Sequence, residues 1–74
     1  MSQNAQPRST VSVPADVESA QAKLVYLYLS VYPDATPADI CGSLEMTKGA
    51  VLSITGTLRE RGHIERTDSG FELA

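Results

Sequence analysis

Few side chains in this sequence are equipped for covalent chemistry. It has one cysteine, Cys41, and one histidine, His63. A metal site needs several Cys, His or carboxylate ligands at set spacings, and no second ligand type is spaced to join His63. Nucleophilic catalysis needs a nucleophile, a base and a group that orients the base. No such trio can be assembled here, and there is no glycine-rich phosphate loop. Cys41 cannot form an internal disulfide. It reads as a small core residue, with redox sensing as the reactive alternative. His63, directly after Gly62, reads as a turn residue. No catalysis, cofactor or metal is expected.

What remains is the placement of charge. Nine acidic residues face six Lys plus Arg, for a net charge of −3. Domains that hold phosphate backbones are usually basic, so the distribution matters more than the total. Residues 47–66 carry Lys48, Arg59, Arg61 and Arg66 against Glu60 and Glu65, a local +2. Residues 1–46 sum to −3 and residues 67–74 to −2. The positive stretch is the part suited to nucleic-acid phosphate. The acidic remainder, with only two lysines, fits a salt-loving host, where acidic surfaces hold hydration and ionic attraction is screened.

Those charges must be positioned by a small fold. The chain has 74 residues, 42% of them hydrophobic, which allows one domain near the lower limit for a self-sufficient core. No run approaches the roughly 18 to 20 apolar residues of a membrane span. The N-terminus lacks the basic-then-apolar order of a signal peptide. A cytoplasmic protein is expected. Residues 1–16 are rich in Ser, Gln, Asn, Thr and Pro and read as a flexible tail, with residues 17–74 as the domain. Within the tail, Thr10 to Val13 alternate and offer a short strand as the other possibility.

The first helix is expected from 17 or 20 to 32, with Asp16 or Ser19 as N-cap. Leu24, Leu27, Tyr28 and Val31 recur at i, i+3, i+4 and i+7 and predict one apolar face, widened by Val25, Leu29 and Tyr32; so wide a face suggests contact on more than one side, as in the central helix of a small bundle or a dimer contact. Pro33 ends it. In the second helix Thr36 is the N-cap, Pro37 the first residue and Asp39 the partner in a capping box; Ile40 and Leu44 face inward. It ends near Leu44 or Glu45. Thr47 caps a third helix over Lys48 to about Arg61, with Val51, Ile54, Thr55 and Leu58 inside. Gly62 suits the left-handed turn that follows. Ile64–Thr67 and Phe71–Leu73 alternate around Asp68-Ser69-Gly70 and predict a hairpin. The fold class is mainly α (α+β): a winged helix-turn-helix, three helices plus a C-terminal two-stranded hairpin.

Here the sequence resembles a family. Ala22-Lys23-Leu24-Val25-Tyr26-Leu27-Tyr28-Leu29 is similar to the opening helix of TrmB-type archaeal regulators. Thr36-Pro37-Ala38-Asp39-Ile40 resembles their second-helix start. Thr47-Lys48-Gly49-Ala50-Val51, through to Leu58-Arg59-Glu60-Arg61-Gly62-His63-Ile64, resembles their third helix and its ending. MarR-type repressors share much of this. The resemblance covers about residues 17–73 and implies an archaeal, dimeric transcriptional regulator of duplex DNA. Such proteins usually carry a sugar-sensing domain after the wing; this sequence stops at Ala74, so no ligand-sensing role is carried over.

In that arrangement the third helix enters the major groove and the hairpin is a wing. At 100° per residue, with Val51 inward, the outward stripe is Gly49, Ser53, Gly56 and Glu60, flanked by Leu52 and Thr57. It is smooth, with no Arg, Asn or Gln poised for a bidentate base contact. Two glycines inside an exposed helix cost about 1 kcal/mol each relative to Ala, which fits close approach to a partner; sequence drift is the plain alternative. The expected DNA contacts are Thr36, Thr47, Lys48, Gly49, Ser53, Thr57, Arg66 and Ser69. Each also has an ordinary role as a cap, a helix-start lysine or a solvated hairpin residue. Arg59 and Arg61 read more simply as complements of the helix end. Tyr26, Tyr28 and Tyr32, with the wide apolar face of the first helix, are candidates for a homodimer seam, which would set two third helices about 34 Å apart on palindromic DNA. The alternative is a winged helix that binds a protein partner and no DNA.

Overall fold

Ser19, Thr36 and Thr47 each start a helix, and for one local reason. In all three, an extended residue turns its hydroxyl oxygen onto an orphan N–H of the first turn, accepting from Ala22, Asp39 and Ala50 at 3.0–3.2 Å. Asp39 returns the bond by accepting from the Thr36 N–H at 3.0 Å, completing the capping box around Pro37. The structure, a computed structural model, describes residues 12–74. Its helices are α1 (Ala20–Val31), α2 (Pro37–Leu44) and α3 (Lys48–Glu60). They are followed by an antiparallel hairpin of β1 (Ile64–Arg66) and β2 (Phe71–Leu73), with Ile64 opposite Leu73, Glu65 opposite Glu72 and Arg66 opposite Phe71. This is the expected winged-helix-like α+β arrangement.

Helix ends are handled by residues in the left-handed region. Glu45 closes α2 at φ 55°, and Gly62 follows α3 at φ 78°. α3 packs on both α1 and α2, β1 packs on α3, and β2 packs on α1. The core they enclose is Val17, Val25, Leu29, Ala35, Ile40, Val51, Leu58, Ile64 and Phe71. Thr55 is the buried polar residue of α3, and its hydroxyl donates to the Val51 carbonyl at 2.9 Å, so its burial leaves no unmet donor.

The orientation of α1 divides the wide apolar face read from the sequence. Leu24, Leu27 and Val31 are 50%, 39% and 64% exposed, whereas Tyr28 of the same set packs against the core. Val25 and Leu29 are the buried residues of this helix, with Ala22 and Tyr26 partly buried beside them. Apart from the polar Gln21, Lys23 and Ser30, every position of α1 is Ala, Leu, Val or Tyr, so several apolar stripes coexist and periodicity does not choose between them. The core takes the stripe whose members fit beneath α3 and β2.

A third strand-like contact joins the hairpin. Ala35, between α1 and α2, bridges to Phe71: the Phe71 N–H donates to the Ala35 carbonyl at 3.0 Å, and the Asp34 N–H donates to the Phe71 carbonyl at 2.8 Å. Gly70 makes this approach possible, because a Cβ there would fall onto the backbone of Ala35. The hairpin is therefore fastened on both sides, with β1 on one edge of β2 and the α1–α2 connection on the other.

The folded unit also begins earlier than residue 17. Val13 packs against the core, Val17 is buried and donates its N–H to the Pro14 carbonyl, and Asp16 binds across to the far end of α3. Thr10 and Val11, half of the possible N-terminal strand, lie outside the described residues, and Ser12 and Val13 form no strand.

Candidate nucleic-acid interface

α3 is thirteen residues long, about 20 Å at 1.5 Å per residue, and its outer side is open to solvent. Thr47, Lys48, Gly49, Leu52, Ser53, Thr57, Arg59 and Glu60 are exposed, and Gly56 is half-buried. The expected Gly49-Ser53-Gly56-Glu60 stripe thus lies on the outside. Leu52, 48% exposed, adds an apolar surface of the kind that meets a thymine methyl. A Cβ at Gly49 or Gly56 would meet nothing within 4 Å, so no contact inside the protein requires either glycine.

The predicted residues fall into three groups. Thr36 and Thr47 spend their hydroxyl oxygens as acceptors in caps, which leaves each O–H free to donate to an incoming phosphate. Lys48, Gly49, Ser53 and Thr57 present the open face of α3. Arg66 and Ser69 belong to the wing, Ser69 exposed at its tip. The Arg66 guanidinium carbon stands 5.9 Å from the centre of the Phe71 ring, a cation–π arrangement that pre-positions this cation.

Between the C-terminal half of α3 and β1 runs a groove of about 490 Å³, lined by Gly56, Arg59, Glu60, Ile64, Glu65 and Arg66. Gly56 contributes by absence, since any side chain would partly fill the groove floor. Its charge is balanced, two arginines against two glutamates. This is the place where α3 and the wing meet, and Arg59 lines it from the last turn of α3, the helix-end position read from the sequence. The hairpin also carries an acidic pair. Glu65 and Glu72 face each other across the hairpin. Their mutual hydrogen bond, desolvation and the repulsion of Glu65 and Asp34 push the Glu72 carboxyl above its usual pKa.

Asp16 anchors the other end of the site. It accepts from His63 Nε2 at 2.8 Å on one carboxylate oxygen and from Arg61 at 3.3 Å on the other, while its carbonyl accepts from Arg61 at 2.9 Å. Desolvation raises the Asp16 pKa, but the His63 hydrogen bond and the charges of His63 and Arg61 outweigh it and hold the carboxyl below its usual value. Arg61 is thus engaged in a tertiary tie, and His63 does more than turn the chain. A separation of 45 and 47 residues left no local signal for this cluster.

Of the three tyrosines proposed for a dimer seam, Tyr26 and Tyr28 pack against the core. Tyr28 hydrogen-bonds Ser43 of α2 at 2.9 Å and stacks on Tyr32 with ring centres 4.7 Å apart. Tyr32 is 56% exposed. Among the described residues no helix is long and apolar enough to cross a membrane. Comparison of the chain with family models, curated proteins and solved structures finds no match.

Proposed function

We propose that the protein is a DNA-binding transcriptional regulator, like the TrmB-type regulators its sequence resembles. In this reading α3 lies in the major groove of duplex DNA and the wing contacts the neighbouring backbone, the protein acting as a dimer in the cytoplasm. The observation that carries the reading is the open outer face of α3, capped at Thr47, small along Gly49, Ser53 and Gly56, and flanked by Lys48 and by Arg66 of the wing. A helix that smooth can sink deep into a groove, with Lys48, Arg66 and the Thr47 and Ser69 hydroxyls reaching phosphates. Without a bidentate base reader, groove shape and backbone contacts supply most of the selectivity.

The test is fluorescence anisotropy of labelled genomic duplexes over a range of KCl. Binding is expected to persist at high salt with a shallow slope, because few phosphates are neutralised. Lys48→Ala and Arg66→Ala should each weaken binding to all duplexes similarly and flatten the salt slope by about 1. No binding at any salt, or no effect of either substitution, would sink this reading. A second reading has its own support: net charge −3 and the glycine-lined face suit a protein partner's helix. A pull-down that recovers one protein and no DNA would favour it.

A further inference from the structure

The outward face of α1 stays exposed among the described residues. Ala20, Leu24, Leu27 and Val31 are all exposed, and together they form a stripe along the whole helix. Their spacing is four, three, four, the a/d rhythm of a coiled-coil seam. The core-facing residues Ala22, Val25, Tyr26 and Leu29 lie on the opposite side, so the helix has two apolar faces and the domain uses one. Lys23 is the only charged residue in α1. A helix meant to face water normally carries charges on that side.

We infer that this stripe is the contact between two copies of the chain, paired antiparallel through α1. The spacing itself selects the occupant. Four, three, four reads the same in both directions about a midpoint between Val25 and Tyr26. A two-fold axis through that midpoint sets Leu24 against the partner's Leu27 and Ala20 against the partner's Val31. Each end then pairs a small residue with a branched one, which fills space evenly. A parallel pair would set Ala20 on Ala20 and leave a gap at one end.

The flanking residues agree. In the antiparallel pair Lys23 borders the partner's Ser30, and Gln21 borders the partner's Tyr28, so no like charges meet. Antiparallel helix dipoles also attract. The Tyr28 and Tyr32 rings, stacked on each other, form one border of the seam, which gives the exposed Tyr32 a place; Tyr26 takes no part. A two-fold contact of this kind is self-limiting and closes at two copies.

The exposed parts of Leu24, Leu27, Val31 and Tyr32 amount to on the order of 400 Å² per copy, the size of the largest apolar patch on a typical monomer, which is often functional. That is about half the roughly 800 Å² each partner buries in a standard stable interface. The pair is therefore a weak, reversible one. The inference gives the seam for the proposed DNA-binding dimer but needs no DNA.

The test is sedimentation equilibrium of the full chain without DNA, up to about 200 μM. A monomer–dimer equilibrium is expected; a monomer throughout overturns the proposal. Leu27→Glu, at an exposed position, should keep its circular-dichroism helicity and raise the dissociation constant at least about tenfold. A variant that stays folded and dimerises as before overturns the seam. Mixing Leu24→Glu chains with Leu27→Lys chains should restore a dimer, because the antiparallel pair sets the introduced carboxylate of one chain beside the introduced ammonium of the other. A mixture that stays monomeric overturns the antiparallel register. Anisotropy with a duplex on the same samples separates the two readings: a monomer that binds DNA overturns the seam alone, and a dimer that binds none overturns the DNA reading alone.

Discussion

Single residues in this protein differ sharply in what they can tolerate, and the glycines show it best. Gly70 lies against the backbone of Ala35, and a methyl group has no room there. Gly70→Ala is expected to displace β2 from the α1–α2 connection and lower the urea midpoint markedly. Gly49 and Gly56 are the reverse case. Both sit in a helix with open space where a Cβ would go. Gly56→Ala should stabilise the fold by about 0.5–1 kcal/mol, through helix propensity alone. If the smooth face exists for a partner, the same substitution should weaken binding while raising stability, a combination that simple structural damage cannot produce. The check is a urea melt and a DNA titration on one preparation.

Leu29 and Leu27 make a second pair. Leu29 is 1% exposed and Leu27 39%. Leu29→Ala should cost about 2–5 kcal/mol, enough to unfold much of a domain of this size at ambient temperature. Leu27→Ala should cost far less in a dilute monomer. Equal losses in the two urea melts would mean that α1 turns a different face to the core.

At the scale of elements, local chemistry was legible in the sequence and tertiary choice was not. The starts of α2 and α3 could be read because a cap needs only residues within one turn of each other: Thr36, Pro37 and Asp39, or Thr47. The end of α3 could be read from Gly62 for the same reason. The inner face of α1 could not, since Leu24, Val25, Leu27 and Leu29 are equally apolar and only the surface beneath them decides. The bridge at Ala35 left no trace, because one residue of ordinary type cannot announce a strand. The site was legible as a face, Gly49 to Glu60, but not as a groove. The part of Arg59 and the anchoring by Asp16 depend on what the hairpin and N-terminal segment bring beside them.

Two ionic contacts make opposite predictions about pH. Asp16 is held below its ordinary pKa by His63 and Arg61, after desolvation is overcome. A carboxylate with a depressed folded pKa contributes stability that is present above its unfolded value, near 3.8, and lost as the pH falls through the folded one. Asp16→Asn should therefore lower the urea midpoint at neutral pH, and the difference from the parent should shrink below that range. Glu72 has a raised pKa, through its hydrogen bond with Glu65, desolvation and repulsion. Its stabilising effect is present below the unfolded value, near 4.5, and is lost as the pH rises through the folded one. Glu72→Gln should raise the midpoint at neutral pH and have little effect in acid. Opposite signs for the two variants across one pH series would check both assignments.

The whole molecule carries a net charge of −3, and its acidic residues include the facing pair Glu65 and Glu72. Self-repulsion of this kind is relieved by salt. Thermal stability should therefore rise between low and molar KCl, with much of the gain lost in Glu72→Gln. Over the same range DNA binding weakens in most proteins. In the proposed DNA-binding reading the two effects oppose, and high salt would give a firmer domain with only modestly weaker attachment. Melting curves and anisotropy in matched KCl series would reveal the opposition directly.

The bridge between Ala35 and Phe71 bears on how the chain folds as it leaves the ribosome. Before β2 has been made, all three helices exist in sequence, but the core lacks Phe71, and the Asp34 N–H and Ala35 carbonyl have no partners. β2 then reaches back to the connection between α1 and α2 and closes the domain from its middle. Such long-range closure comes late in folding. A nascent chain would stay open and sensitive to protease until β2 emerges, and then become protected in a single step.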